Sequence, residues 1–330
     1  MSVDYASLKQ VSEIDKSDFT KEKLNSTQPF IVRGLITDWP LVKAETIEAQ
    51  QAYLLQKYNQ KLVHALIAPE QEQGRYFYNS EITDFNFSRE NTSLESIIER
   101  IRLNPDNNAY YVGSTAVEHI LPGFRSENDV ELLKSVSLVS LWLGNASRIA
   151  AHYDIPDNLA CVAAGKRRFT LFPPEQLDNL YIGPLDFTPA GQSASLVDFQ
   201  HPDFQSFPKF KQALAAAQVA ELAAGDALFI PSMWWHHVEA LSKFNILVNY
   251  WWRPVDIFMA APTDALYHAM LSIRDLPENQ RKIWQEMFDH YIFNPKPQEH
   301  IPPASRGVLN PIDDVTARKL RAMLLNKLNR

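Results

Sequence analysis

Two short segments hold residue types that bind metals. The first is Ala151-His152-Tyr153-Asp154. Residues at i and i+2 of a strand face the same way, so His152 and Asp154 present an imidazole and a carboxylate together. The tripeptide alone is weak evidence, because nine histidines among 39 acidic residues make one such spacing nearly expected by chance. A buried histidine bonded to a nearby aspartate accounts for it equally well. The second segment runs from Gly225-Asp226 through Pro231 to Trp234-Trp235-His236-His237-Val238. Its Gly-Asp turn launches a strand, Pro231 interrupts it, and the returning strand brings a histidine back to the core. Two imidazoles and one carboxylate on adjacent strands make a facial set that leaves open positions on an octahedral ion. That suits Fe(II), which needs room for O₂ and a chelating cosubstrate. Strand neighbours face opposite ways, so only one of His236 and His237 can serve, and composition leaves both open.

These segments need a β core to hold them. Between Ala109 and Trp252 the chain reads as short extended runs (AYYVGS, VSLVSLWLG, RIAAHYD, LACVAAG, RRFTLF, DALFIP, WWHHVEAL, NILVNYWW) punctuated by Pro, Asp and Gly, as in a β-sandwich or barrel. An earlier strand and turn is expected in PFIVRGLITDWP, with a helical insert at about 207–217. Residues 1–28 are polar and predict a short helix. Helical patterns cover 42–58 and 93–103, the latter with Thr92 and Glu95 at capping-box spacing. After Pro254 the pattern is helical again, at 262–274, 278–293 and 313–328. The reading is a mainly β fold with flanking helices, divided into a core at 1–253 and a helical region at 254–330.

Composition narrows the chemistry further. One cysteine, Cys161, permits no internal disulfide and no cysteine-ligated cluster, so a metal must be held by nitrogen and oxygen; the thiol itself is expected to be buried and inert. The same count points to a reducing cytoplasm. Ten glycines in 330 residues is about 3%, below the ~7% of average usage, and no glycine-rich phosphate loop occurs. A net charge of −7 argues against nucleic acid as the main partner. The N-terminus lacks a signal-peptide pattern and no apolar run is long enough to span a membrane, so a soluble protein is expected.

The ordered string HYD, PDNLACVAAGKRRFTLFPPEQL, VDFQHPDF, FPKF, GDALFIPSMWWHHVEAL and VNYWW resembles the cupin-like branch of the JmjC-type Fe(II)- and 2-oxoglutarate-dependent oxygenases. This group includes the asparaginyl hydroxylase of hypoxia-inducible factor and the tRNA wybutosine hydroxylase. The resemblance extends from PFIVRGLITDWP to about Trp252 and implies a double-stranded β-helix (cupin, jelly-roll) core. It implies that His152, Asp154 and His236 ligate Fe(II), and that 2-oxoglutarate chelates the metal while a base deeper in the barrel pairs with its far carboxylate. Lys166, Arg167 and Arg168 are candidates for that base. Alternation separates Arg167 from the other two, and Arg167 is the residue expected to serve. Tyr111 matches a tyrosine that reaches the same carboxylate. Asn158 and Asn249 match polar residues of the cosubstrate pocket, and Trp251 an aromatic wall; Asn158 could equally cap the PDN turn. Where the family commonly has Thr as a further donor, this chain has Ile149, so the donor has moved, to Ser147 or Ser140, or the acid makes fewer hydrogen bonds.

The implied reaction is hydroxylation of a C–H bond in a protein side chain or small molecule. A non-catalytic metal- or acid-binding cupin is the competing reading, and a metal-dependent isomerase or hydrolase a third. The helices after Pro254 match in position a helical pair through which relatives dimerise, so a homodimer is expected. The remaining histidines, His64 among them, are read as structural or surface residues.

Overall fold

The computed structural model describes residues 3–136, 138–189 and 191–329. It forms two compact units, Met1–Arg253 and Pro254–Arg330. In chain order the first unit contains β1 (Lys9–Gln10), β2 (Ser12–Ile14), β3 (Phe30–Val32), α1 (Pro40–Lys43), α2 (Ile47–Lys57), β4 (Val63–Ala68), β5 (Arg75–Tyr76), β6 (Ser88–Thr92) and α3 (Leu94–Leu103). It continues with β7 (Ala109–Ala116), α4 (Val117–Ile120), β8 (Leu138–Gly144), β9 (Ser147–His152), β10 (Asp157–Ala164) and β11 (Lys166–Phe172). It ends with α5 (Phe210–Ala216), β12 (Gln218–Ala223), β13 (Ala227–Ile230), β14 (Trp235–Ala240) and β15 (Asn245–Trp252).

Two sheets face each other in a jelly roll. One has the order β2-β3-β13-β10-β15-β8-β7-β4-β6 and the other β1-β12-β11-β14-β9-β5. Central strand β10 shows why the larger sheet is covered on both sides, since every residue in DNLACVAA is buried. Its Ala160 and Val162 pack inward with Leu228 and Leu247, against Phe169, Leu171 and Val238 of the smaller sheet. Its Leu159, Cys161 and Ala163 pack outward in a cluster with Leu54 of α2, Ile97 and Ile101 of α3, and Val117 and Ile120 of α4. Burial also pushes the Cys161 thiol pKa well up, leaving an unreactive thiol.

Several expected elements differ in detail. The helical pattern at 42–58 is two helices, because the chain leaves α1 after Lys43 and restarts where the Thr46 hydroxyl accepts from Ala49 N at 3.1 Å. The cap of α3 is Ser93, which accepts from Ser96 N, rather than Thr92. Residues 3–28 form short 3₁₀ turns and strands β1 and β2 in place of a helix. β4, β6 and β12 had no counterpart in the expected strand series. β6 (SRENT) is polar and buries only Thr92, β12 (QVAELA) mixes buried Gln218 with exposed Glu221, and β4 (VHALIA) is interrupted by exposed His64.

The second unit is helical: α6 (Pro262–Ser272), α7 (Glu278–Phe288, continuing as a π turn over Asp289–Phe293) and α8 (Asp314–Leu328). Asp313 caps α8 by accepting from Thr316 N at 2.7 Å. Among its described residues only Ala317 is buried, while Ile257, Leu271, Phe293 and Leu325 are largely exposed. No helix among the described residues is long and apolar enough to cross a membrane.

Candidate metal centre and its cavity

Strands β9 and β14 are antiparallel neighbours, and their register sets His152 opposite His236, with a bulge just beyond that pair. The imidazole centroids lie 4.3 Å apart. Asp154 follows two residues after His152, and its carboxylate comes within 3.6 Å of His236 Nε2. One ligand atom from each of the three residues can be chosen so that all lie within 4.8 Å of one another. The backbone fixes which atoms face inward. His152 Nδ1 lies 2.9 Å from Ala150 O and His236 Nδ1 lies 3.0 Å from Trp234 O. A carbonyl can only accept, so each Nδ1 carries the proton and each Nε2 lone pair is free for a cation. Burial, reinforced by His152, depresses the His236 pKa, which keeps the imidazole in its neutral, ligating form. This nitrogen, nitrogen and carboxylate set fits an ion such as Fe(II).

His237 faces the other way. Its ring stacks on Phe199 at 4.4 Å, and burial pushes its pKa down to about 3. Of the two adjacent histidines, it is His236 that the structure groups with His152 and Asp154.

The metal group opens into a cavity of about 270 Å³ whose wall includes Tyr111, Asn158, Arg167, Asn249 and Trp251. Along β11, Leu171 pairs with His236 and Arg167 with Ala240. Arg167 therefore starts four residues beyond the metal tier, roughly 13 Å along the strand. Lys166 and Arg168 point outward, and Arg168 is held by Glu221 at 2.7 Å. Arg167 is 2% exposed, with Nε and Nη2 buried and without a hydrogen-bond partner. Burial lowers its pKa, and interaction with the Tyr111 hydroxyl opposes that shift. The same burial pushes Tyr111 up to about 12, with Arg167 pulling the other way. A buried cation whose donors lack partners costs several kcal/mol, so this end of the cavity is built for an anion.

Asn249 Nδ2 donates to Asn158 Oδ1 at 2.7 Å, and both residues line the cavity. Asn249 Oδ1 and Trp251 Nε1 are buried without partners. Ile149 pairs with Val238 across β9 and β14, and both line the cavity with Phe169 and Leu247. The middle of the cavity is therefore hydrocarbon. Ser140 pairs with Asn249 across β8 and β15 and its Oγ is buried without a partner, while Ser147 pairs with Ala240 in register with Arg167; neither serine pairs with Ile149 itself.

The lining residues outside the expected site include His64, Tyr76, Trp142 and Ala194. His64 was expected to be structural or a surface residue; it is exposed, and it lines the cavity because β4 joins the sheet beside β7. The available signal was a short β-rich apolar run, VHALIA, with one polar residue, His64, on the face of Leu66. Ala194 arrives through the long segment between β11 and β12, where Ser195 N donates to Ala151 O at 2.7 Å and Ala194 bridges His152. Nothing local in that segment announces the pairing.

The family model described as a cupin-like domain matches residues 16–257. Relatives among characterised proteins include lysine-specific demethylase 8 of Xenopus tropicalis, 24% identical over 242 residues, covering 71% of this chain and 50% of that protein. The tRNA wybutosine-synthesizing protein 5 of Gallus gallus is 30% identical over 148 residues, 40% of this chain and 43% of its own. Lysine-specific demethylase JMJ31 of Arabidopsis thaliana is 34% identical over 121 residues, 36% of this chain and 22% of its own. In these three matches the chain spans half or less of the relative's length. With nearly all of its first unit matched, the chain belongs to the cupin-like domain family of JmjC type.

Proposed function

We propose that the chain is an Fe(II)- and 2-oxoglutarate-dependent oxygenase that hydroxylates a C–H bond of a protein side chain or small molecule. The observation that carries this reading is one cavity with a His152–Asp154–His236 group on its wall and, further along the same barrel, a buried Arg167 guanidinium whose Nε and Nη2 have no hydrogen-bond partner. A short dicarboxylate has one end for each. Named lysine demethylases and wybutosine-synthesizing proteins among the relatives favour the same reaction class.

In this reading His152, Asp154 and His236 hold the iron through two Nε2 atoms and a carboxylate oxygen. Bound iron with 2-oxoglutarate supplies the oxidation, in which O₂ is consumed, the acid becomes succinate and CO₂, and one oxygen atom enters the substrate C–H bond. Arg167 and Tyr111 orient the acid through its far carboxylate. Ile149, Phe169, Val238 and Leu247 exclude water from its chain. Asn158, Asn249 and Trp251 offer polar atoms near its metal-binding end. Unit 1–253 is the catalytic domain. Unit 254–330 pairs with a second copy, because its exposed Ile257, Leu271, Phe293 and Leu325 have no core of their own to enter. A single cysteine, buried at Cys161, fits a cytoplasmic protein.

Anaerobic addition of 2-oxoglutarate to the Fe(II)-loaded protein tests the reading. A weak visible charge-transfer band is expected with 2-oxoglutarate and not with glutarate, which lacks the chelating oxo group. Metal binding without such a band would favour a non-catalytic binding cupin.

A further inference from the structure

Arg167 and Tyr111 form the closed end of the cavity, and Trp142 stands in the next tier. Tyr111 of β7 pairs with Gly144 of β8, and Trp142 lies two residues back along β8, opposite Leu247 of β15. The Trp142 ring packs between Tyr111 and Trp251, at 5.8 Å from each. Ile149 and Phe169 occupy the facing sheet at the level of Val238. Tyr76 of β5, which pairs with Ile149, lines the same tier, but its hydroxyl donates to Leu66 O at 3.3 Å; of Trp142, Ile149, Phe169, Val238 and Leu247, only Trp142 carries a polar side-chain atom.

That atom, Nε1, is buried and has no hydrogen-bond partner. Core tryptophans elsewhere in the fold do not leave theirs open. Trp39, Trp234 and Trp235 donate to the carbonyls of Asp129, Thr27 and Pro174. An unsatisfied buried N–H is costly, so its retention in a cavity wall calls for an acceptor that the chain itself does not provide. The backbone also makes room for the ring: a Cβ at Gly113 would stand 3.3 Å from Trp142 Cζ3 and 3.4 Å from Tyr111 Cε1. Trp251 Nε1 is unpartnered too, but Trp251 pairs with Asn158 at the other end of β15.

We infer that Trp142 is a carboxylate-recognition residue, its indole N–H donating to the anion held by Arg167 and Tyr111 in the tier where Ile149 offers no donor. The inference rests on the 2-oxoglutarate reading. A carboxylate has about four lone-pair positions. Arg167 Nε and Nη2, the Tyr111 hydroxyl and Trp142 Nε1 would fill them. The large ring also shortens the cavity, which favours a short-chain acid.

The test uses the ¹⁵N-labelled full chain loaded with Zn(II) and titrated with 2-oxoglutarate, so no turnover is needed. The Trp142 indole resonance is identified by its absence from the spectrum of Trp142→Phe. It should move downfield on saturation, and Trp142→Phe should bind 2-oxoglutarate about ten- to a hundredfold more weakly, as for loss of a hydrogen bond to a charged group. Zn(II) affinity should stay at the wild-type value. Adding Ile149→Thr to Trp142→Phe puts a hydroxyl in the same tier and should recover part of the lost affinity. Should Trp142→Phe fail to fold, Gly113→Ala, which presses on the ring, should weaken acid binding and displace the indole resonance. An unmoved indole together with unchanged affinity in a protein that does bind 2-oxoglutarate overturns this inference alone. A Zn(II)-loaded wild type that takes up no 2-oxoglutarate overturns both it and the oxygenase reading.

Discussion

Replacing Arg167 by methionine should pull stability and binding in opposite directions, and that opposition separates an acid-binding role from a packing role. In the protein without acid, Arg167 is a fully enclosed cation with two unpartnered donors, Nε and Nη2. Exchanging an enclosed charge for an apolar group of similar volume is neutral to stabilising, by about 1–4 kcal/mol in comparable cases. Arg167→Met should therefore unfold at the same temperature as the parent, or a few degrees higher, when no acid is present. Two charge-assisted hydrogen bonds, each worth about 1.5–3 kcal/mol, are lost from the complex. Their sum of about 3–6 kcal/mol weakens 2-oxoglutarate binding by two to four orders of magnitude. Calorimetric titration of the Zn(II)-loaded proteins measures the second effect, and thermal unfolding with and without 2-oxoglutarate measures both. At a hundred times the parent's Kd the acid should stabilise the parent by about 2.7 kcal/mol and the variant by no more than about 0.4 kcal/mol. A variant that is less stable without acid, yet binds 2-oxoglutarate like the parent, refutes the argument and makes Arg167 a structural residue.

Asp154→Ala should lower Mn(II) affinity by on the order of a hundredfold or more, measured by the paramagnetic resonance of free Mn(II), because even outer-shell changes cost ten- to a hundredfold. His237→Phe, which preserves the stack on Phe199, should leave that affinity within a fewfold, whereas His236→Phe should abolish binding. Acid should destabilise the metal-free protein. Burial depresses His237 to about 3 and lowers His236, so below the ordinary histidine value of 6.5 the unfolded chain binds more protons than the native one. Stability then falls with pH from about 6.5 downward, and urea midpoints at stepped pH should show a shallower fall in His237→Phe. Gly144→Ala sets a Cβ 2.4 Å from Tyr110 O, where β7 and β8 pair beside Tyr111. It should cost about 1–3 kcal/mol, read as a lower urea midpoint.

The metal group was legible because two local patterns carried it. His152 and Asp154 share a strand-face spacing, and the return after Pro231 brings His236 beside them. Arg167 could be separated from Lys166 and Arg168 by alternation alone, since its two neighbours face outward. What stayed hidden depends on pairings between distant segments. His64 and Trp142 line the cavity through the β4-β7-β8 order of the larger sheet, which no local period encodes. Ala194 reaches His152 through a single bridge inside a long irregular segment. The cap of α3 falls on Ser93, one residue past the expected Thr92, because it is the Ser93 hydroxyl that accepts from Ser96 N. The two alternatives left open at Ile149, a donor moved to Ser147 or Ser140 or fewer hydrogen bonds to the acid, could not be narrowed by local pattern, because they turn on which distant strands face the cavity. Ser140 sits opposite Asn249 and Ser147 opposite Ala240, and at the level of Ile149 the indole N–H of Trp142 is buried without a partner while the Tyr76 hydroxyl donates to Leu66 O.

Succinate formation tests the central claim most directly. The Fe(II)-loaded full chain, supplied with ¹³C-labelled 2-oxoglutarate and then exposed to O₂, should release labelled succinate, and Asp154→Ala and Arg167→Met should release none above background. A protein that binds both Fe(II) and 2-oxoglutarate, yet yields no succinate with O₂, alone or with a panel of peptides, proteins and small molecules, contradicts the assignment as an oxygenase.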